Sequence, residues 1–351
     1  MSLRSLFLSG LASAWLMAGA PTLTETARCL AGIAPAADPA DKAYQAHAAA
    51  MDRAWKQVEK VRLGKMRAWA RRELATLDKE TYVFYPFSGP DTLHMNVCFP
   101  QVTHAVLVGL ERVGRVPSLE GLTQAQRAEE LGRLRASLTA SLGYSFFKTN
   151  DMKVDLKNHA LDGVLPILYV YAALLGHDLK TVDLMKLDAE GNLVPAPEGA
   201  TAARLTYTAA GSSQVRTLVY FSWDLSNPGL SGKGAALTAY LRRNGQGITY
   251  LKSASYLMHR DTFSTIRTFI VQNSKAVLQD DSGIPHRFFP GGNWSVVPFG
   301  TYDKPIRLFE ERAQKDLLTL YQEGKPKAID FGTGYKFKVG SSNCALYTLK
   351  K

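Results

Sequence analysis

The chain has 351 residues, 46% of them hydrophobic and 21% charged, with 42 Lys or Arg against 31 Asp or Glu and a net charge of +11. This composition is that of a globular protein and excludes a wholly disordered chain, a collagen or a coiled coil. Three cysteines are too few for a disulfide framework or for a zinc site built from four thiolates. The length allows one large domain or two of ordinary size.

The positive charge favours anionic surroundings, such as lipid headgroups, wall polymers or an acidic polysaccharide. The basic residues are spread along the chain, and the sequence contains no zinc finger, RNP-type aromatic signature or basic arm. We therefore predict an anionic polymer as partner and no nucleic acid. The sequence does not define the oligomeric state.

Residues 1–20 have the pattern of a secretory signal peptide. Arg4 precedes an apolar stretch from Leu6 to Met17, and the small residues Ala18, Gly19 and Ala20 follow it. The alternative is an N-terminal membrane anchor that is not cleaved. We expect an exported protein, either periplasmic or secreted, in which residues 21–40, rich in Ala, Pro and Thr, form a linker.

Residues 41–80 are predicted to form an amphipathic helical arm. Apolar side chains recur at three- and four-residue steps on one face: Tyr44, Ala48, Met51, Trp55 and Val58. The opposite face is rich in Lys and Arg but also carries acidic residues. One interpretation is peripheral contact with an anionic membrane; the favoured one is that the helix packs Trp55 on the core and leaves its charges in solvent.

Residues 81–351 are predicted to form the main α/β domain. Its first part contains strands at 81–87 and 103–111 that flank a short helix at 91–100, which makes a βαβ-like unit. Predicted helices follow at 123–142, with the capping pair Thr123 and Gln126, and at 160–176, and then predicted short strands at 181–187 and 193–195. A hairpin is predicted from two arms, at 203–209 and 214–225.

The second half of the domain alternates strands and helices. Strands are predicted at 248–258, 275–281, 294–299, 336–339 and 346–349, and helices at 235–244, 261–273 and 303–321. Three strands separated by two helices are typical of a parallel α/β sheet. The predicted fold class is therefore α/β, with a mainly parallel, Rossmann-like sheet, an added β-hairpin and a helical N-terminal arm.

Polar clusters follow several predicted strands, and ligands of open α/β sheets bind at the carboxyl ends of strands. The candidate catalytic residues in these clusters are Asp91, His94, Asp224, His259, Asp281 and His286. Asp281 is the predicted acid/base or metal-facing carboxylate, and His259 or His286 its proton partner. The competing interpretation of each cluster is helix capping and turn formation.

Other site chemistries have weaker signals. Asp91 and His94 share one helix face and would need a further histidine to hold a metal ion. Ser88 lies between a strand and a helix but lacks the glycine two positions earlier that a nucleophile elbow requires. Neither a G-x-G-x-x-G motif nor a P-loop is present, and we predict no cofactor.

Four segments, YPFSGPD, FFKTNDM, SYLMH and LQDDSGIP, resemble exported bacterial proteins of unknown function, over roughly residues 81–350. The resemblance implies no catalytic assignment. From the acidic and histidine residues at strand ends we predict a hydrolase or lyase acting on an envelope or extracellular polymer. The alternative is a non-catalytic envelope protein that binds an anionic polymer or a partner protein.

Overall fold

The computed structural model describes residues 21–34, 40–146, 156 and 159–350, so the predicted signal peptide lies outside the described residues. The described chain forms an α/β fold around one ten-stranded mixed sheet. Its strands are β1 (Tyr82–Tyr85), β2 (His104–Gly109), β3 (Asp178–Leu187), β4 (Leu193–Pro195), β5 (Ala202–Thr208), β6 (Val215–Ser222), β7 (Gly247–Leu251), β8 (Ser274–Gln279), β9 (Trp294–Gly300) and β10 (Asn343–Leu349).

The strand order is β4-β3-β5-β6-β2-β1-β7-β8-β10-β9. The five central strands, from β6 to β8, pair in parallel, whereas every pairing outside them is antiparallel. The prediction of an α/β fold with an added hairpin is confirmed, because β5 and β6 pair as expected. The prediction of a mainly parallel sheet holds only for the centre. Short connections such as the turn between β3 and β4 force antiparallel pairing, whereas parallel pairing requires a crossover.

Helices cover both faces of the sheet. Their bounds are α1 (Leu23–Leu30), α2 (Lys42–Val58), α3 (Gly64–Glu73), α4 (Thr92–Cys98), α5 (Gln124–Tyr144), α6 (Leu165–Leu174), α7 (Ala235–Arg243), α8 (Ser264–Asn273) and α9 (Lys315–Glu323). Alternate residues of each strand face opposite cores: Val83 and Tyr85 pack with α1 to α6, and Phe84 packs with α7 and α8. The central strands are therefore buried on both sides.

Residues 21–40, predicted as a linker, contain helix α1. A capping box between Thr22 and Glu25 begins this helix, and Ala27 and Leu30 are completely buried against the main core. The hydroxyl of Thr24 also donates to the backbone oxygen of Leu179. The Ala, Pro and Thr content predicted a linker because composition does not reveal a helix of only eight residues. Its apolar side chains are buried by contacts with residues far away in the sequence. Residues 35–39 lie outside the described residues.

Residues 41–80, predicted as a helical arm, are helical over most of their length. Helices α2 and α3 are continuous through one π-helical segment, Glu59–Leu63. The apolar face joins the same core as the sheet: Trp69 packs edge-on against Phe299 and Phe331, with ring centroids 5.1 and 5.5 Å apart. Trp55 is half-buried against that core, as the packing interpretation expected.

Four predicted elements differ in the structure. The strand predicted at 248–258 ends at Leu251, and residues 257–259 form a 3₁₀ turn. Helix α6 begins only at Leu165 instead of residue 160, because Gly163 has a φ of +68° and Pro166 lies in the first turn. The helix predicted at 303–321 is broken into a 3₁₀ segment, Arg307–Arg312, and α9. Residues 336–339 form no strand; Lys336 makes one isolated bridge with Thr333. Within the described residues, no helix has both the length and the apolar character that crossing a membrane requires.

Candidate functional site

A pocket of about 160 Å³ lies where the central parallel strands end. Most of its wall comes from the ends of β1, β2, β6 and β7 and from the segments that follow them. Six aromatic rings line it: Tyr85, Phe87, Phe146, Trp223, Phe263 and Tyr335. The polar residues in its wall are Ser88, Asp91, Glu111, Asp224, Lys252, Ser253 and Ser255. Strand β1 lies between β2 and β7 in the sheet. The pocket is therefore at the position where the strand order changes direction.

Asp91 is the centre of a buried polar network at this pocket. Its side chain caps helix α4 by accepting from the backbone N–H of His94, 3.2 Å away. Its carboxylate also accepts from the Tyr85 hydroxyl at 2.9 Å, contacts Nδ1 of His94 at 2.9 Å, and forms an ion pair with Nζ of Lys252 at 2.9 Å. The cap explains why the sequence places Asp91 here, and the other three contacts exceed what a cap requires.

These contacts fix the charges in the network. Burial opposes ionisation of Asp91, but His94 and Lys252 outweigh it and hold the pKa of the carboxyl well below its usual range. Burial lowers the pKa of His94 to about 4, against the opposing effect of Asp91. His94 is therefore neutral at pH 7 and donates Nδ1–H to Asp91, which leaves Nε2 to accept from the Ser145 hydroxyl at 3.4 Å.

Lys252 carries the positive charge of the network to the pocket. It directly follows β7, its side chain is 3% exposed, and its ammonium donates to Asp91 and to the backbone oxygen of Ser145. An ammonium has three donors. Within the described contacts two of them are used, and Lys252 lines the pocket.

The backbone around the pocket is strained. Six non-glycine residues of the described chain have positive φ, and five of them lie around this site: Phe87, Ser145, Ser253, Ser255 and Tyr256. Each such conformation costs about 1–3 kcal/mol, and strain of this kind is concentrated at functional sites. Asp280 holds one strained loop, since its carboxylate accepts from the backbone N–H of Ser253 at 2.9 Å and from that of Ser282 at 3.0 Å.

The hydroxyl oxygen of Ser253 is an unsatisfied polar atom in the pocket wall. It is buried and makes no hydrogen bond with the described residues. Buried polar groups in folded proteins normally have a partner. This oxygen therefore lacks the partner that burial normally requires.

Glu111 places a second carboxylate in the pocket wall. It lies two residues beyond β2 and is 6% exposed. Its only hydrogen-bond partner among the described residues is the Tyr220 hydroxyl, 3.4 Å from Oε2, and that hydroxyl is closer to the backbone oxygen of Glu111, at 2.7 Å. A Cβ on Gly109 would lie 2.5 Å from Oε2 and 2.8 Å from Cα of Gly89, so the close approach of the Gly89 backbone requires glycine there.

Asp281 belongs to a separate buried cluster. Its carboxylate accepts from the Tyr256 hydroxyl and from Nδ2 of Asn343, the latter at 3.1 Å. Burial raises the pKa of Asp281, and burial together with Asp281 raises the pKa of Asp280 to about 6. As expected for neighbours on an extended segment, the two carboxylates have different partners. Neither lines the pocket at the strand ends.

The structure separates the six candidate residues. Asp91 lines the pocket and contacts His94, which lies fully buried behind it. Asp224 lines the pocket. Its two carboxylate oxygens also accept hydrogen bonds from the backbone N–H and the hydroxyl of Ser226, so the same side chain stabilises a turn.

The two remaining histidines lie outside the pocket wall. His259 packs edge-on against Tyr256 in the Asp281 cluster. Burial and nearby arginines lower its pKa to about 4. His286 contacts the Tyr347 hydroxyl through Nδ1 at 3.0 Å. Within the described residues no three His, Cys, Asp or Glu side chains are grouped to hold a metal ion.

Glu111 and Lys252 were not among the predicted site residues. Each had a signal, because each is a charged residue that follows an apolar run, Glu111 after residues 105–110 and Lys252 after residues 248–251. No protein-family model, curated protein or solved structure matches this chain.

Proposed function

We propose that this chain is an exported enzyme, a hydrolase or lyase, that acts on an envelope or extracellular polymer in the pocket at the strand ends. The observation that carries the proposal is the buried network of Tyr85, Asp91, His94 and Lys252, which holds an ammonium at the pocket wall. Burying charged groups costs stability, so a network of this kind is expected where it serves a function or specifies the fold. The secretory pattern of residues 1–20 and the resemblance to exported proteins support the location.

The strand order supports the finer assignment of the fold as Rossmann-like. In chain order the five parallel strands are arranged 3-2-1-4-5, with β1 and β7 adjacent at the reversal of direction. Ligands of doubly wound sheets bind at such a switch point, outside the carboxyl ends of the strands. The pocket lies at this position, since Asp91 follows β1 and Lys252 follows β7.

Both candidate reactions need two functions from the pocket. One is a fixed positive charge for the negative charge that develops on the substrate, and the ammonium of Lys252 supplies it. The other is a group that carries a proton, and we assign it to Asp224, which faces both the pocket and solvent. Asp91, His94 and Tyr85 are positioning residues, because they hold the Lys252 ammonium in place.

The alternative is that the same pocket binds an anionic polymer or a partner protein without changing it. The fixed ammonium of Lys252 favours this reading too, because it attracts an anionic group whether or not a reaction follows. The two proposals differ in what Asp224 contributes. A proton carrier is needed only for turnover.

The test is incubation of the purified protein with isolated envelope polymer, followed by mass spectrometry of soluble fragments. A hydrolase adds water to the fragments, whereas a lyase leaves a double bond that absorbs ultraviolet light. Asp224→Asn should lower fragment release at least about a hundredfold. Asp188→Asn is the matched control, because Asp188 also caps a turn, at Asn192, outside the pocket. Retention on the polymer without fragments would overturn the enzyme proposal in favour of binding.

A further inference from the structure

The carboxylate of Glu111 is an unusual group to bury. It is 6% exposed, no Lys, Arg or His of the described chain forms an ion pair with it, and its one hydrogen bond, from Tyr220, is long at 3.4 Å. A buried charge with too few donors costs several kcal/mol. The carboxylate nevertheless lies against Gly109, where a Cβ would be 2.5 Å from Oε2.

Glu111 lines the pocket together with Lys252, so a molecule bound there can donate hydrogen bonds to its carboxylate. A carboxylate has two oxygens and accepts two parallel donors, such as adjacent hydroxyl groups. The nearby rings of Phe87 and Trp223 offer apolar faces of the kind that cover the C–H face of a sugar ring. Hydroxyl donors and an apolar ring face therefore fit one wall of the pocket.

Lys252 favours a different group on the ligand from the one that Glu111 favours. Its positive charge favours an anionic group. A cationic ligand would suit Glu111 but not Lys252, and a purely anionic ligand would suit Lys252 but not Glu111. A ligand with hydroxyl groups and one anionic group satisfies both.

We infer that Glu111 accepts hydrogen bonds from adjacent hydroxyl groups of a sugar ring whose anionic group binds Lys252. The substrate class is thus an acidic sugar, alone or as a unit of an acidic polysaccharide. This inference rests on the pocket of the proposed function and narrows its substrate. Glu111 is a specificity-determining residue in this assignment.

Binding of small probes to the full chain tests the inference by calorimetry. The probes are D-glucuronate and glucose 6-phosphate, which distinguish a carboxylate from a phosphate source of charge, with D-glucose lacking the charge and cyclohexanecarboxylate lacking the hydroxyl groups. At least one acidic sugar should bind at least about tenfold more tightly than both control probes. No binding of either acidic sugar up to about 50 mM, or equal binding of cyclohexanecarboxylate, would overturn the inference.

Glu111→Gln is the decisive variant, because it keeps the size of the side chain and removes the charge. Affinity for the acidic sugar should fall at least about tenfold, while the thermal midpoint should rise because an unpaired buried charge is lost. A structural role would instead lower the midpoint. Glu120→Gln, in the exposed segment after β2, is the control and should change neither quantity. Wild-type affinity in Glu111→Gln would refute the assignment.

The two proposals fail in different ways. Fragment release from a neutral polymer, at the same rate in Glu111→Gln as in the wild type, would leave an enzyme whose substrate is not an acidic sugar. Binding of the acidic sugar that depends on Glu111, without fragments from any polymer, would leave the ligand class intact and remove the enzymatic proposal.

Discussion

Replacing Lys252 by Met tests whether the buried network holds the pocket together. Nζ of Lys252 lies 2.9 Å from Oδ2 of Asp91, and both side chains are 3% exposed. Met has a similar length and no charge, so the variant leaves the Asp91 carboxylate buried with the neutral donors Tyr85 and His94. Removing one partner of a buried ion pair costs about 3–5 kcal/mol, and we expect the free energy of unfolding to fall by that amount.

The measurement is urea unfolding of four proteins: the wild type, Lys252→Met, Asp91→Asn and the double variant. The double variant has no unpaired charge, so its loss should be smaller than the sum of the two single losses by about 1–3 kcal/mol. The reasoning is refuted if Lys252→Met loses less than about 1 kcal/mol or if the two losses simply add.

The same variant has an acid signature. Because the pKa of Asp91 is lowered in the folded state, its ionisation stabilises the fold above the ordinary carboxyl pKa and this contribution is lost as the pH falls below it. Without Lys252 the pKa of Asp91 rises, since the cation no longer opposes burial. Acid unfolding of Lys252→Met should therefore occur at higher pH than in the wild type.

Three further predictions concern stability. Burial lowers the pKa of four histidines to about 4: His47, His94, His177 and His259. The unfolded chain binds protons below pH 6.5 that these groups exclude, so the free energy of unfolding from urea titrations should fall between pH 6.5 and 4, by up to about 1.4 kcal/mol per pH unit for each histidine. The raised pKa values of Asp280 and Asp281 oppose part of that fall, and a flat profile would contradict the prediction. Gly109→Ala should cost about 1–3 kcal/mol, because the new Cβ would lie 2.8 Å from Cα of Gly89. Gly143→Ala, at an exposed position of helix α5, should instead gain about 0.5–1 kcal/mol, and thermal midpoints moving in the same direction would refute the contrast. Thr123→Ala removes the capping box of α5 and should cost about 1 kcal/mol by urea unfolding, and an unchanged midpoint would show that the cap contributes nothing.

Local patterns predicted most of the secondary structure. The capping pair Thr123 and Gln126 begins α5 as expected, and the hairpin formed by β5 and β6 follows from two alternating segments separated by a glycine turn. The predictions of secondary structure were wrong where a helix begins or ends for a reason other than the spacing of apolar residues. Helix α1 depends on its docking against the core, and the break before α9 has no signal in the apolar spacing.

The candidate site was predicted only in part. Asp91 and His94 are three residues apart on one helix, so their contact is a local property of the sequence. The contact of Asp91 with Lys252 depends on β1 and β7 being neighbours. Asp281 follows β8, and its partners Tyr256 and Asn343 come from other parts of the chain. Adjacency at a strand end was therefore not sufficient to place it in the pocket.

The sequence by itself determined the α/β class, most of the helices and strands, and the polar turns at strand ends, because these depend on residues close together in the chain. The tertiary structure decided which of those turns share a pocket. Strand order results from many small packing energies summed over the whole core, and no local pattern reports that sum. Thus Lys252 and Glu111, charged residues after two apolar strands, become the opposite charges of one site only when β7 and β2 flank β1.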